Sequence, residues 1–219
     1  MSASARVTLK LATSLDARIA LASGESKWIT GPEARDAVHH LRADHDVLLT
    51  GIGTILADNP QMTASPGGHH AARQPLRAVL DTRLRTPPGC ALLTQGQAVI
   101  FHGGDAPASA VKALEAAGAR CVSCKPGPSG IDILHVMEWL ASNSSSSVMI
   151  EAGGRVAASA IRARIVDRIE WFRAPVLLGG DGLPVIAALG LETLDAAPMF
   201  RRTHLRECGA DTWETWERD

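Results

Sequence analysis

Short apolar runs alternate with stretches of helical period along nearly the whole chain, and that alternation restricts the fold more than any other feature of the sequence. The runs are Val7 to Leu11, Asp46 to Thr50, Leu76 to Asp81, Ala98 to Phe101, Arg120 to Ser123, Val148 to Glu151 and Arg168 to Phe172, each short and apolar enough for a buried strand. Between several of them the apolar positions recur at helical spacing. Ala34, Ala37, Val38 and Leu41 share one face of a helix predicted over Glu33 to Ala43, with Thr30 and Glu33 forming a capping box at its start. Further helices are predicted at Ala106 to Ala117, Ile131 to Ser142 and Arg155 to Ile165. Strands that alternate with helices pair in parallel and are covered by those helices. Met199 to Arg206 and Asp211 to Trp216 break the alternation as two strands turning near Gly209. The expectation is an α/β fold with a mostly parallel central sheet flanked by helices and a C-terminal antiparallel hairpin. A chain of 219 residues, 46% of them hydrophobic, can build this around a single core, so residues 1–219 are read as one domain. The polar stretches Ser65 to Gln74 and Lys125 to Gly130 read as loops.

Charge and composition exclude several classes of function. Lysine and arginine number 22 against 23 acidic residues, a net charge of −1, so nothing favours nucleic acid as a partner. No run approaches the roughly 18 apolar residues of a membrane helix, and Met1 to Lys10 lacks the apolar core of a signal peptide, so a cytoplasmic protein with no membrane partner is expected. Cys90, Cys121, Cys124 and Cys208 are too scattered for a disulfide framework. The Cys121-Val-Ser-Cys124 spacing has no second pair to complete a metal site, and His69-His70 has no carboxylate near it in sequence, so no metal is expected. Tyrosine is absent, which removes reductases that use a tyrosine hydroxyl as proton donor. The zinc deaminase, nucleophile-elbow, P-loop and HExxH signatures are absent too.

The sharpest local pattern is Ser147-Val-Met-Ile-Glu151-Ala-Gly153-Gly154-Arg155, a strand running through two glycines into a helix. Such a turn lets a phosphate approach the backbone and meet the unpaired N–H groups of the helix start, although a ligand-free strand-to-helix turn has the same pattern. Thr50-Gly51-Ile52-Gly53-Thr54 opens like a dinucleotide fingerprint, but Leu56 stands where its third glycine belongs and Asp58-Asn59-Pro60 leaves no room for a long helix. Arg35, His39 and Arg42 fall on one side of the Glu33 to Ala43 helix, as an anion clamp or as an ordinary solvated face. Glu151 ends its strand where open α/β sheets bind ligands, and Lys10 and Asp16 place opposite charges near the end of the first strand.

Leu9-Lys10-Leu11-Ala12-Thr13-Ser14-Leu15-Asp16-Ala17-Arg18-Ile19-Ala20 and Ser23-Gly24-Glu25-Ser26-Lys27-Trp28-Ile29-Thr30, followed in order by Leu41-Arg42-Ala43, Gly53 to Pro60, Leu80-Asp81-Thr82 and Ile150 to Gly154, resemble the reductase domain of the bacterial bifunctional riboflavin biosynthesis protein. The resemblance implies a dihydrofolate-reductase-like fold, a homodimer, and NADPH-dependent reduction of the ribosyl group of 5-amino-6-(5-phosphoribosylamino)uracil to ribityl. It implies cofactor contacts at Ala12, Trp28, Thr54, Asp58, Thr82 and the turn made by Gly153, Gly154, Arg155, Val156, Ala157, Ala158 and Ser159. Substrate contacts are implied at Ser26, Arg42, Met62 and Glu151, with Lys10, Asp16 and Glu151 as the catalytic group. The sequence departs from the family in two places. Ala17 replaces a glycine after Leu15-Asp16, so a backbone conformation reserved for glycine is not expected there. Ser65 stands where the family places a phosphate-gripping arginine, with Arg73 as the candidate replacement. The zinc deaminase domain that normally precedes the reductase is missing from this sequence, so the resemblance implies a deaminase either fused in the full gene product or acting as a separate partner. A pterin-type reductase and a non-catalytic sensor of NADPH or a pyrimidine are the alternatives.

Overall fold

The computed structural model describes residues 5–128 and 130–219, and the alternation of the sequence reappears in it as thirteen strands and five α-helices. In chain order these are β1 (Arg6–Thr13), β2 (Arg18–Ala20), α1 (Pro32–Ala43), β3 (Val47–Gly51), α2 (Ile52–Asp58), β4 (Leu76–Leu80), β5 (Ala98–Gly103), α3 (Ala108–Ala116), β6 (Ala119–Cys124), β7 (Pro126–Gly127), β8 (Gly130–Ile131), α4 (Ile133–Ser142), β9 (Ser147–Ile150), α5 (Gly154–Arg162), β10 (Arg168–Arg173), β11 (Leu183–Pro184), β12 (Phe200–Cys208) and β13 (Asp211–Arg218). Nine strands form one sheet in the order β12-β13-β10-β1-β9-β3-β4-β5-β6. From β10 to β6 every neighbour is parallel, whereas β13 and β12 run antiparallel as the closing hairpin. Strand β9 inserts between β1 and β3, so the carboxyl ends of these three lie side by side.

The period-two alternation of the buried strands sorts side chains onto two faces. Val47, Leu49, Val148 and Ile150 meet α4 and α5 residues such as Val136, Leu140 and Ala157 on one face. On the other, Leu48, Met149, Val79 and Ile100 pack with Ile55 of α2 and Leu114 of α3. Helix α1 lies over β1 and β10, with Ala34 and Val38 against Phe172 and Ala12.

The capping box predicted at Thr30 and Glu33 is not the one formed. Pro32 occupies the first helical position, which moves the N-cap to Gly31, and no side chain caps α1. Asp211 Oδ2 accepts the Gly31 N–H at 2.7 Å instead, and the Thr30 carbonyl accepts from the Arg35 guanidinium at 2.8 Å. Helix α4 starts two residues later than predicted because Asp132 caps it, accepting the Leu134 N–H at 3.0 Å. The Lys125 to Gly130 loop contains the short β7–β8 ladder, and Pro66–Gly68 forms a 3₁₀ turn within the other loop. Ala17 has φ +60°, the left-handed region glycine favours, against the expectation drawn from its side chain. The turn is over-determined: Ser14 Oγ donates to Asp16 Oδ1 at 2.6 Å and accepts the Arg18 N–H at 2.9 Å, which holds the alanine in a conformation it disfavours.

Candidate active site

Strand register decides which side chains meet. Leu9 lies beside Ile150 in the parallel pair β1–β9, so the next residues, Lys10 and Glu151, leave the sheet on the same side. That is the side covered by α1, whose last turn carries Arg42. Arg42 Nε donates to Glu151 Oε1 at 2.7 Å and Nη2 to Oε2 at 3.0 Å, a two-pronged grip that leaves Nη1 for the Thr63 carbonyl at 3.0 Å. Lys10 Nζ lies 3.4 Å from Glu151 Oε2. One carboxylate thus sits between two cations.

This asymmetry sets the protonation of the group. Burial alone would raise the Glu151 carboxyl, but Arg42 and then Lys10 hold it down at about 2. Burial lowers the Lys10 pKa; Glu151 opposes that, while the neighbouring positive charge of Arg42 adds to it. Arg42 has its pKa raised by Glu151 in spite of burial. A lysine held between a shared carboxylate and a competing arginine is a better proton donor than a free one.

The three side chains open into a cavity of about 610 Å³ at the carboxyl ends of β1 and β9. Its walls include the Ser26 to Thr30 segment, Thr54 and Asp58 of α2, Pro60 to Thr63, and Arg35, Val38 and His39 of α1. Trp28 is 71% exposed at the rim, with the Arg35 guanidinium 4.6 Å above its ring centroid. Lys27 Nζ lies 3.6 Å from Asp58 Oδ1 across the mouth. A second cavity, about 470 Å³ beside Val166 and Phe200, lies at the other end of the sheet and contains none of these groups.

A family model described as the RibD C-terminal domain matches residues 5–213. The chain belongs to this family. It is 35% identical to the riboflavin biosynthesis protein RibD of Bacillus amyloliquefaciens over 208 residues, 94% of this chain and 55% of that protein. Against the protein of the same name from Escherichia coli (strain K12) it is 33% identical over 215 residues, 94% of this chain and 58% of that one. Among solved structures, Acinetobacter baumannii RibD, form 1, matches with a TM-score of 0.85 at 28% identity, covering 100% of this chain and 59% of that chain. A Thermotoga maritima deaminase/5-amino-6-(5-phosphoribosylamino)uracil reductase shares the fold, with a TM-score of 0.80 at 23% identity over 99% of this chain and 57% of that one. The chain therefore spans a little over half the length of these relatives.

Within this RibD C-terminal domain the remaining sequence-derived residues divide into those the cavity gathers and those it does not. Ala12, Ser26, Trp28, Thr54, Asp58, Met62 and Gly153 line it with Lys10, Arg42 and Glu151. Beside it the strand-glycine-helix turn has Gly153 as the uncapped N-cap of α5, with no protein acceptor for the Gly154 and Arg155 N–H groups among the described residues. Gly154 serves packing, since a Cβ there would stand 2.6 Å from the Pro184 carbonyl oxygen. Val156 packs on Gly51, Ala157 and Ala158 are fully buried under α5, and Ser159 is half-buried, so this stretch offers a ligand its first turn. Thr82 is exposed past the end of β4, outside the cavity lining.

Asp16 does not line the cavity. Its carboxylate caps the loop after β10, accepting the Leu178 N–H at 3.1 Å and the Gly179 N–H at 2.7 Å. The Ser14 hydroxyl first, and then these amides, hold it at about 2, so in this arrangement it is an anion that fastens the turn. Arg73 does not replace the missing arginine: its guanidinium donates to Asp46 Oδ1 at 2.8 Å, at the amino end of β3. Sequence reasoning did not single out the Thr63 carbonyl, which fixes Arg42, or Val185, which returns to the cavity wall from a distant loop. Neither carries a local signal. No helix of the described residues is long and apolar enough to cross a membrane, and no three metal-binding side chains cluster among them.

Proposed function

We propose that this chain is an NADPH-dependent reductase that converts the ribosyl group of 5-amino-6-(5-phosphoribosylamino)uracil to ribityl in riboflavin biosynthesis. The observation that carries the reading is the buried Lys10–Glu151–Arg42 group opening into the cavity beside the uncapped start of α5. The α5 start fits a dinucleotide phosphate, because Gly153 leaves the backbone open and the first N–H groups are free to donate. Gly153, Gly154 and Arg155 would hold the cofactor there, with Trp28, Thr54 and Asp58 along its path. NADPH would supply the two electrons and the hydrogen that reduce the sugar C1′.

The rest is done by this chain's own side chains. Opening the ribose ring leaves negative charge on its ring oxygen, which needs a proton. Lys10 supplies that proton from Nζ, and its lowered pKa makes the transfer easier. Glu151, held ionised by Arg42, keeps Lys10 in place and offers its carboxylate to the polar edge of the substrate. The segment from Pro60 to Thr63 walls one side of the cavity in which the reacting carbon would sit, and Trp28 stands at its rim. A homodimer completes the proposal.

The test is NADPH oxidation by the purified chain with 5-amino-6-(5-phosphoribosylamino)uracil, with NADH and dihydrofolate as controls. Turnover of the pyrimidine with NADPH supports the reading. Turnover of dihydrofolate alone moves the chain to the pterin reductases, and tight NADPH binding without turnover of either substrate leaves a sensor.

A further inference from the structure

The cavity holds more positive charge than its own carboxylates neutralise. Lys10, Lys27, Arg35 and Arg42 line it against Asp58 and Glu151. Glu151 takes both Lys10 and Arg42, and Asp58 takes Lys27. Arg35 is the lining cation that has no carboxylate partner among the described residues. One of its N–H groups is donated, from Nη1 to the Thr30 carbonyl at 2.8 Å, and its Cζ stands 4.6 Å from the centroid of the Trp28 ring. That leaves a guanidinium fork held at two points with donors to spare.

One helical turn on, His39 adds a second polar group. Its Nδ1 stands between the Ser65 amide, which donates to it at 3.1 Å, and the Thr63 carbonyl, an acceptor 3.2 Å away, and Nε2 has no protein partner among the described residues and is open to a ligand. Burial lowers the His39 pKa, the positive charge of Arg42 adding to it, which keeps the ring uncharged in the free pocket. Arg35 and His39, four residues apart on α1, therefore line the same cavity, and His39 also touches the Ser65 amide.

Resting on the function proposed above, we propose that Arg35, assisted by His39, reads the phosphate monoester of the substrate in this chain, the task for which Ser65 has no charge and from which Arg73 is drawn away. A dianionic phosphate would satisfy the excess positive charge of the cavity and accept the free edge of the fork.

Calorimetry on the cofactor-free chain with ribose 5-phosphate and with ribose tests this independently of turnover. Arg35→Gln is expected to weaken ribose 5-phosphate about 30-fold and leave ribose unchanged, as the loss of a charge-assisted bidentate contact implies. Arg35→Lys should recover part of the binding, because it restores the charge without the fork. In the reductase assay the loss should fall on KM for the phosphorylated substrate rather than on kcat. Four results overturn the proposal: no preference of the wild-type chain for ribose 5-phosphate, unchanged affinity in Arg35→Gln, equal losses for both sugars, or a loss confined to NADPH. Equal losses would mean that Arg35 only packs on Trp28, and a loss confined to NADPH would assign the contact to the cofactor. Absence of turnover with intact, Arg35-dependent ribose 5-phosphate binding would instead remove the proposed reaction and leave the phosphate reader standing.

Discussion

Replacing Glu151 by glutamine keeps the shape of the side chain but takes the anion from between two cations. The cost follows from proton affinity. A carboxyl lowered from 4.5 to about 2 on folding contributes about 3 kcal/mol at neutral pH, at about 1.4 kcal/mol for each tenfold change in proton affinity. With side-chain exposures of 9% for Glu151, 15% for Lys10 and 18% for Arg42, the group is sheltered enough for this value to stand with little solvent screening. It also matches the several kcal/mol usually lost when a buried ion pair is broken from one side. The folded pKa is the depressed one, so the contribution is fully present above about 4.5 and is lost as the pH falls toward 2. Urea unfolding followed by tryptophan fluorescence, at pH 7 and at pH 3, reads this directly. The variant should be about 3 kcal/mol less stable at pH 7, and the gap should narrow by about 2 kcal/mol at pH 3. Asp16 and Asp46, also held at about 2, titrate in both proteins and cancel in the difference. A gap of the same size at both pH values, or one below about 1 kcal/mol at pH 7, would show that the charge arrangement is not what Glu151 contributes.

Three further outcomes are expected. The alkaline limb of the kcat–pH profile should have an apparent pKa below the 10.5 of an ordinary lysine, and Lys10→Met should abolish turnover without weakening NADPH binding; a limb at or above 10.5 would argue against Lys10 as the proton donor. Gly154→Ala brings a Cβ to 2.6 Å from the Pro184 carbonyl oxygen and 3.0 Å from the Ala187 amide, so its urea midpoint should fall by the equivalent of about 2 kcal/mol. Ala17→Gly should stabilise the fold by about 0.5 kcal/mol, relief of the φ +60° strain outweighing the added freedom of the unfolded chain, and a lower melting temperature would contradict that.

Local patterns in the sequence carried the fold further than the site. Strands β3, β4, β5 and β9 were legible because they are short and mostly apolar, and the α1 stripe because Ala34 and Val38 keep helical spacing. The misplaced cap at Thr30 shows where local rules fail: Pro32 shifts the helix start, and the partner that satisfies Gly31 is Asp211, far along the chain. Lys10 and Glu151 were each recognised, but their adjacency depends on β9 entering between β1 and β3, which no short window of sequence encodes. Asp16 shows the converse. A carboxylate near the end of a strand reads as chemistry until the Leu178 and Gly179 amides that occupy it are placed in space.

The late insertion of β9 also gives the molecule a history. Both sheet neighbours of β1, β9 and β10, come from the second half of the chain, so during synthesis the first strand waits unpaired while β3 to β6 can already stack beside one another. Lys10 meets its carboxylate only when that central gap is filled. The site thus comes into being only after β3 to β6 have been made, and a chain that stalls before β9 holds much of a sheet but no reaction centre. Anything that fills the finished cavity acts as a latch on a pairing between distant parts of the chain.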